Sequence, residues 1–396
     1  MQREKKKVKR FSKFMNNKMD YILFITVLIL LSLGVVMVLS ASAPSALSST
    51  GKSYTYFLKQ FEFALVGIGL MLFFSKSDYR FLKKYYKVIY VISVAILLLV
   101  LVPKLGKSVN GAKRWIEIKG LGQFQPSEFT KIGLIIFYAG YLSDHKNDLK
   151  QFGKGFVLPM AFLIPPIAIL YFVQNHLSVS LVVGIVTCVM MLMAGCRLLH
   201  FMFAGLAGVA GVALVIIREL LKGDASDSFR MDRIMTFFDP WSDATGTGYQ
   251  MVQSLYAIGS GGLFGVGLGN SKQKYLYIPE PQNDFIFAIV AEELGFVGCV
   301  TIILLFAIFV WRGIVISMKA PDMFGSLLAT GIISLVAVQV VLNIAVVTSS
   351  MPNTGIPLPF FSYGGTALLI LLCSMRYFTK YFTSRLKSIK EEHKCE

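Results

Sequence analysis

Tyr277-Ile-Pro-Glu-Pro-Gln-Asn-Asp284-Phe-Ile-Phe-Ala288 turns a polar, proline-punctuated loop into a long apolar segment. The Pro281-Gln-Asn-Asp284 part reads as a helix start, with Asn283 or Asp284 as the N-cap. The apolar run continues to residue 311, past Glu292 and Glu293, long enough to cross the roughly 30 Å hydrocarbon core of a bilayer. Carboxylates at and below a membrane entrance are costly, which marks this segment as functional. For Asp284 an N-cap role and a general-base role are compatible, because the positive end of a helix favours an ionised carboxylate. By helix geometry Glu292, eight residues on, stands about 80° round and roughly 12 Å deeper, as a cavity-side partner. Glu293 would face nearly the opposite way and suits a structural pair.

The rest of the chain repeats the apolar theme. Of its 396 residues 55% are hydrophobic and 15% charged, too apolar a balance for a soluble globule. Ten runs are long enough to span: 20–42, 57–75, 85–103, 127–143, 156–174, 177–195, 199–218, 284–311, 324–348 and 357–377. These predict an all-α integral membrane protein with about ten transmembrane helices, its membrane domain running over 20–378. A basic N-terminal segment, 1–19, and a tail, 379–396, flank it. Eight Lys and Arg residues in Met1–Met19, with further basic clusters at 76–87, 144–155, 312–323 and 378–396, place both termini in the cytoplasm. Most of the +17 net charge is therefore topological, with the basic flanks drawn to anionic membrane lipids, and nucleic acid is not expected. Ala41-Ser42-Ala43 resembles a signal-peptide cleavage site, but the apolar run before it suits a retained anchor. The cysteines and histidines show neither a disulfide framework nor metal-ligand spacing.

Two loops on the expected outer side are too patterned to be plain connectors. The 104–126 loop carries five basic residues against the positive-inside bias, and includes Asn110-Gly-Ala-Lys113-Arg114-Trp115-Ile116 and Gln125-Pro126-Ser127-Glu128. Lys113 and Arg114 read equally as a pair binding an anionic group, with Trp115 as interfacial anchor, and as phospholipid contacts. Glu128 and Lys131 share a helix face and predict an ion pair. The 219–283 loop contains a short amphipathic helix near 248–254, then the run Gly259-Ser260-Gly261-Gly262-Leu-Phe-Gly265-Val-Gly267-Leu-Gly269. With no preceding strand and no Gly-Lys-Ser/Thr ending, this run is no nucleotide fingerprint. Its glycines suit tight turns and close approach to a helix or a lipid-linked substrate. Lys272 and Lys274 follow. Near the C-terminus, Met351-Pro-Asn-Thr-Gly-Ile-Pro357-Leu-Pro359-Phe-Phe-Ser362-Tyr-Gly364-Gly365-Thr366 predicts broken backbone lining a cavity. Ser362 and Thr366 there suit either freed backbone groups or a substrate.

Taken together, these motifs resemble the SEDS family of shape, elongation, division and sporulation membrane proteins, over residues 20–378. Pro-Glu-Pro-Gln-Asn-Asp-Phe-Ile-Phe-Ala and Thr-Gly-Ile-Pro-Leu-Pro-Phe look more like the FtsW/SpoVE branch than the RodA branch. The resemblance implies a ten-span SEDS-type fold and peptidoglycan glycan-chain polymerisation from lipid II at the outer face of the cytoplasmic membrane, for septal cell division. Asp284 matches the family's essential acid and would be the general base on the acceptor sugar 4-hydroxyl. Lys113, Arg114 and Trp115 match a first-loop motif suited to pyrophosphate or headgroup binding, and Glu128, Lys131, Lys274, Glu292 and Ser362 match further motif positions. A divalent cation such as Mg2+ would share the pyrophosphate charge, although no protein metal site is legible. The implied partners are a class B penicillin-binding transpeptidase and the division machinery. One departure stands out: Gln174-Asn175-His176-Leu177-Ser178-Val179 replaces a Gln-Pro-Asp/Asn-Leu type motif. A lipid II flippase, a spore-cortex or elongation polymerase, and a non-catalytic division scaffold are the alternative functions. Clustering of the polar residues on one side, rather than at the midplane between repeats, weighs against a transporter.

Overall fold

The computed structural model describes residues 20–378 except 76, 103–105, 110–111, 119–121, 204, 206–236 and 247. The expected segments 1–19 and 379–396, and most of 199–218 and 219–236, lie outside the described residues. In chain order the elements are α1 (Tyr21–Thr50), α2 (Thr55–Phe74), α3 (Arg80–Leu98), β1 (Gly106–Val109), β2 (Ala112–Ile118), β3 (Gly122–Phe124) and α4 (Pro126–Asp144). There follow α5 (Gly153–Val173), α6 (Leu177–Ala194), α7 (Tyr249–Gly261), α8 (Ile286–Met318), α9 (Met323–Val347) and α10 (Gly365–Phe378). Among the described residues seven helices are long and apolar enough to cross a membrane: α1, α2, α3 with its following turn, α5, α6, α8 and α9.

The other three expected spans differ for physical reasons. Residues 127–143 do form a helix, α4, but Ser127, Glu128 and Lys131 lower its apolarity, and it is sheathed by α3, α6 and α9. The 357–377 run begins as irregular backbone, so α10 is a short helix starting only at Gly365. The 199–218 run is mostly outside the described residues. A further difference is a small antiparallel sheet, β1-β2-β3, in the 104–126 loop. In β2 Ile116 is buried and the next residue, Glu117, is exposed, as successive side chains of a strand point to opposite faces.

Helix α9 is the hub, packing against α4, α6 and α8, while α8 also meets α1 and α7. One end of the bundle is tied by charges. Asp20 accepts from Arg312 Nε at 2.8 Å, Lys83 pairs with Asp144 at 3.1 Å, and Asp322 accepts from Tyr79 Oη at 2.5 Å. The opposite end gathers the sheet, the turn at 174–176, the 262–285 loop and the irregular 348–364 segment. Five non-glycine residues among the described ones take positive φ, and all five are in those loops: Asn175, Leu276, Glu280, Ser349 and Phe360. Such conformations persist where surrounding contacts over-determine them, commonly at functional sites.

Helix α8 is broken at Gly295 (φ 66°, ψ −168°). The glycine run after α7 inserts into the break. Phe296 N and Val297 N, whose helical acceptors would be Glu292 O and Glu293 O, donate instead to Gly262 O at 2.9 Å and Leu263 O at 3.1 Å. The released Glu292 O and Glu293 O accept from Val266 N at 2.9 Å and Gly267 N at 3.1 Å. The loop thus supplies partners for two donors and two acceptors that the helix gives up, which makes a break away from water tolerable. A Cβ on Gly295 would collide with Gly265 N, and its backbone conformation is one that only glycine adopts readily. Gly295→Ala is expected to destabilise the fold by about 1–3 kcal/mol from strain alone, read as a lower melting temperature of the purified protein.

Candidate functional site

Asp284 lies in the turn that feeds α8. The helix starts at Ile286 with Phe285 at its N-cap, so neither Asn283 nor Asp284 has the N-cap position expected from the sequence. The physical reason is local. Glu280 at φ 46° starts a tight turn in which Asn283 N donates to Glu280 O and Asn283 Nδ2 to Glu280 Oε2, tying the Asn283 side chain back to Glu280. Asp284 is half-buried. Its main-chain oxygen accepts from Asn343 Nδ2 at 2.7 Å, and a Cβ built on Gly355 would stand 3.4 Å from its Oδ2. Gly355 takes φ 64°, so glycine brings that loop's backbone close to the carboxylate at low steric cost.

The broken backbone expected over 352–366 is present up to Gly364, and Ser362 and Thr366 both bond to main chain. Ser362 Oγ accepts from Leu358 N at 2.7 Å, Gln60 brackets the segment through Ser362 O and Gly364 N, and Tyr363 N donates to Gln282 O at 2.8 Å. Thr366 Oγ1 donates to Gln123 O in β3, at 3.3 Å. Ser178, at the start of α6, donates to Thr354 O, which joins this segment to the neighbouring 174–176 turn.

That turn is held by the first-loop motif. Arg114 Nε donates to Gln174 O at 3.1 Å and its second nitrogen to Asn175 O at 2.6 Å. Gln125 Nε2 and His176 Nε2 are 3.1 Å apart, and Gln174 Nε2 donates to Leu97 O. Trp115 is half-buried in β2; the side chain of Lys113 is outside the described residues. Glu128 and Lys131 form the expected ion pair, 2.8 Å long and nearly buried. Burial, then the Arg114 and Lys131 charges, push the His176 imidazole down to about 3, so it is neutral at physiological pH. With the folded value below the usual 6.5, stability from neutral His176 is complete above pH 6.5 and is lost as pH falls towards 3. Below pH 6.5 the loss approaches about 1.4 kcal/mol per pH unit. A His176→Gln protein is expected to show a flatter dependence of melting temperature on pH between 7 and 5 than the wild type.

The other candidates assemble on the far side of the Asp284 turn. Glu293 pairs with Lys274 at 2.9 Å, both side chains almost fully buried, and accepts from Ser40 Oγ at 2.6 and 2.7 Å. Lys274 Nζ also donates to Gly269 O at 2.7 Å and Ser40 Oγ at 3.1 Å. Glu292 accepts from Ser271 Oγ, Lys272 N at 2.9 Å and Gln273 N at 3.3 Å. Glu293 therefore has the structural pair expected of it. The carboxylate of Glu292 instead caps the 271–273 turn, because the break at Gly295 lets the loop fold back over both acids. Beside Lys274 an open groove of about 460 Å³ is walled by Leu39, Ala43 and Pro44 of α1 and by Leu268 and Tyr275.

Sequence reasoning missed Asn343, Gln282, Gln60 and Gln125, all of which act between elements distant in the chain. A lone Asn in an apolar span was the available signal for Asn343. Among the described residues no group of three His, Cys, Asp or Glu side chains is placed to hold a metal.

A polytopic helical membrane protein, with a carboxylate held among irregular loops at one end of its bundle, is the class this geometry defines. A family model described as a cell cycle protein, covering FtsW, RodA and SpoVE, matches residues 20–380, and the chain belongs to that family. It is 43% identical to stage V sporulation protein E of Bacillus subtilis (strain 168), over 90% of this chain and 94% of that protein. It is 40% identical to a probable peptidoglycan glycosyltransferase FtsW of Trichlorobacter lovleyi, over 89% of this chain and 90% of that one. Both names agree with the expected branch. In structure it matches a chain of a peptidoglycan synthase complex, solved to describe the coordination of polymerization and crosslinking, with TM-score 0.74 and 27% identity. That match covers 93% of this chain and 98% of the other. It also matches the rod shape determining protein RodA of Thermus thermophilus, with TM-score 0.67 and 26% identity, over 93% and 97% of the two chains.

Proposed function

We propose that this protein polymerises peptidoglycan glycan chains from lipid II, with Asp284 as the general base. It is a peptidoglycan glycosyltransferase of the SEDS family. In the reaction the acceptor sugar 4-hydroxyl attacks the anomeric carbon of the donor. The new β-1,4 carbon–oxygen bond forms as the bond to undecaprenyl pyrophosphate breaks, the hydroxyl proton passes to Asp284, and the pyrophosphate leaves with the bonding pair. Holding two lipid-linked sugars side by side converts a bimolecular encounter into an oriented one, a large share of the barrier. Lys113 and Arg114 of the first loop supply positive charge for the departing pyrophosphate, and Trp115 an interfacial surface. Glu128, Lys131, Lys274, Glu292 and Ser362 support the substrate-binding loops. The groove beside Lys274 offers an apolar seat for a lipid tail. Among the described residues no group of His, Cys, Asp or Glu side chains is placed to cage a metal.

The observation that best supports this reading is the Asp284 carboxylate, backed by Gly355 and flanked by irregular loops, at one end of a family-typical bundle. We place that end outside the cytoplasmic membrane, because the Lys- and Arg-rich segments 76–87, 144–155 and 312–323 belong to the other. A class B penicillin-binding transpeptidase is the partner, since a structural relative belongs to a complex that couples polymerization to crosslinking. Purified protein with that partner, supplied with labelled lipid II, is expected to yield glycan polymer. Absence of polymer together with movement of lipid II across vesicle membranes would replace the polymerase with a flippase.

A further inference from the structure

Asn343 sits in the last turn of α9 within the apolar stretch Val340-Val-Leu-Asn343-Ile-Ala, and only 1% of it is exposed. Its Nδ2 donates to Asp284 O and to Ile356 O, each at 2.7 Å. Two carbonyl oxygens accept only from the NH2 side of an amide, so its orientation is fixed by chemistry. One acceptor belongs to the residue carrying the candidate base. The other follows Gly355, the residue that backs its carboxylate, and Gly355 N is itself held by Asn353 Oδ1 at 3.1 Å. The two loops that flank the reacting carboxylate are therefore pinned to each other through one buried side chain on the central helix.

We infer that Asn343 is a positioning residue: it sets the distance and angle of Asp284 by tying its main chain to the 353–356 loop. It acts through Asp284 and does not touch substrate. This rests on Asp284 being the base. An interaction confined to the protein should leave ground-state substrate binding alone and weaken only the alignment reached during reaction, where misplacement by about 1 Å can cost roughly a hundredfold.

The test uses full-length protein with its transpeptidase partner and labelled lipid II, comparing wild type with Asn343→Leu, a near-isosteric change without donors. Expected is a fall in kcat of about ten- to a hundredfold with KM within twofold. Hydrogen exchange should quicken at the amides of Asn283, Gly355 and Tyr363, whose acceptors lie in or beside these loops. An Asn343→Gln protein, which keeps both donors, should recover part of the lost turnover. Unchanged kcat, a loss carried by KM, or lost turnover without faster exchange at those amides would overturn the inference. Where Asn343→Leu does not fold, Asn343→Ser, with one donor, is held to the same kinetic and exchange criteria. A wild type without polymerase activity would instead sink the reading of Asp284 as base, while exchange would still report whether Asn343 holds the two loops.

Discussion

An Asp284→Asn protein is expected to fold, to keep its partner and to lose polymerase activity by a factor on the order of 10² to 10⁴, the usual share of a general base. The amide matches the carboxylate in shape, and the Asn343 bond is to the main chain of residue 284, so the substitution leaves that brace intact. What it removes is the proton acceptor. Asp284→Glu is a sharper probe, since the carboxylate survives but is carried one methylene further from the main chain that Asn343 holds. Its activity should lie between wild type and Asp284→Asn. Polymer length and yield from labelled lipid II, with the melting temperature as a folding control, make the comparison. Equal yields from wild type and Asp284→Asn would take Asp284 out of the chemistry altogether.

The largest effect on stability is expected at the Lys274–Glu293 pair. Removing one member of a buried ion pair strands the other charge, at a cost of about 3–5 kcal/mol, whereas replacing both by apolar side chains is often close to neutral. Glu293→Leu would leave the Lys274 ammonium with only Gly269 O and Ser40 Oγ. Lys274→Met would leave Glu293 with hydroxyl and amide donors alone. Each single change should lower the melting temperature more than Lys274→Met with Glu293→Leu does. A double-mutant cycle on the purified protein measures the coupling, and additive effects would show that the pair contributes nothing of its own. Activity of the double variant is informative too. Turnover near that of the wild type would assign Lys274 to the loop scaffold, and its loss would give Lys274 a part in substrate binding.

Much of this molecule was legible from single segments. Apolar runs longer than a bilayer is thick announce spans, and prolines at 352, 357 and 359 with Gly364-Gly365 announce a broken entrance, because those residues act on their own backbone. The Glu128–Lys131 pair was legible for the same reason, being three residues apart on one helix. What escaped depends on partners far along the chain. Gly295 within an apolar run reads as a tolerated helical glycine until the loop from Gly262 to Gly267 is seen to replace its lost bonds. Glu292 was expected to face a cavity because nothing local to it announces that the 271–273 turn would fold over its carboxylate. Asn283 as N-cap failed for want of knowing that a turn from Glu280 would tie its side chain backwards and delay the helix to Ile286. The atypical 174–176 turn, a departure in the sequence, proves to be what Arg114 grips. That places an expected anion-binding residue in a scaffolding contact as well.

The break in α8 also fixes a height. From Phe296 to Met318 the helix has 23 residues, about 34 Å at 1.5 Å per residue, which by itself reaches across the hydrocarbon layer. The nine residues from Ile286 to Leu294 are surplus to that crossing and form a pedestal of roughly 13 Å. Asp284 stands on top of it, and Glu292 and Glu293 lie at its foot. With Asp284 as the proposed base, a membrane-anchored acceptor would have to present its hydroxyl about that far off the apolar edge. On that proposal such a stand-off would favour a substrate whose reactive sugar is held away from its lipid by a spacer as long as a pyrophosphate and a saccharide ring.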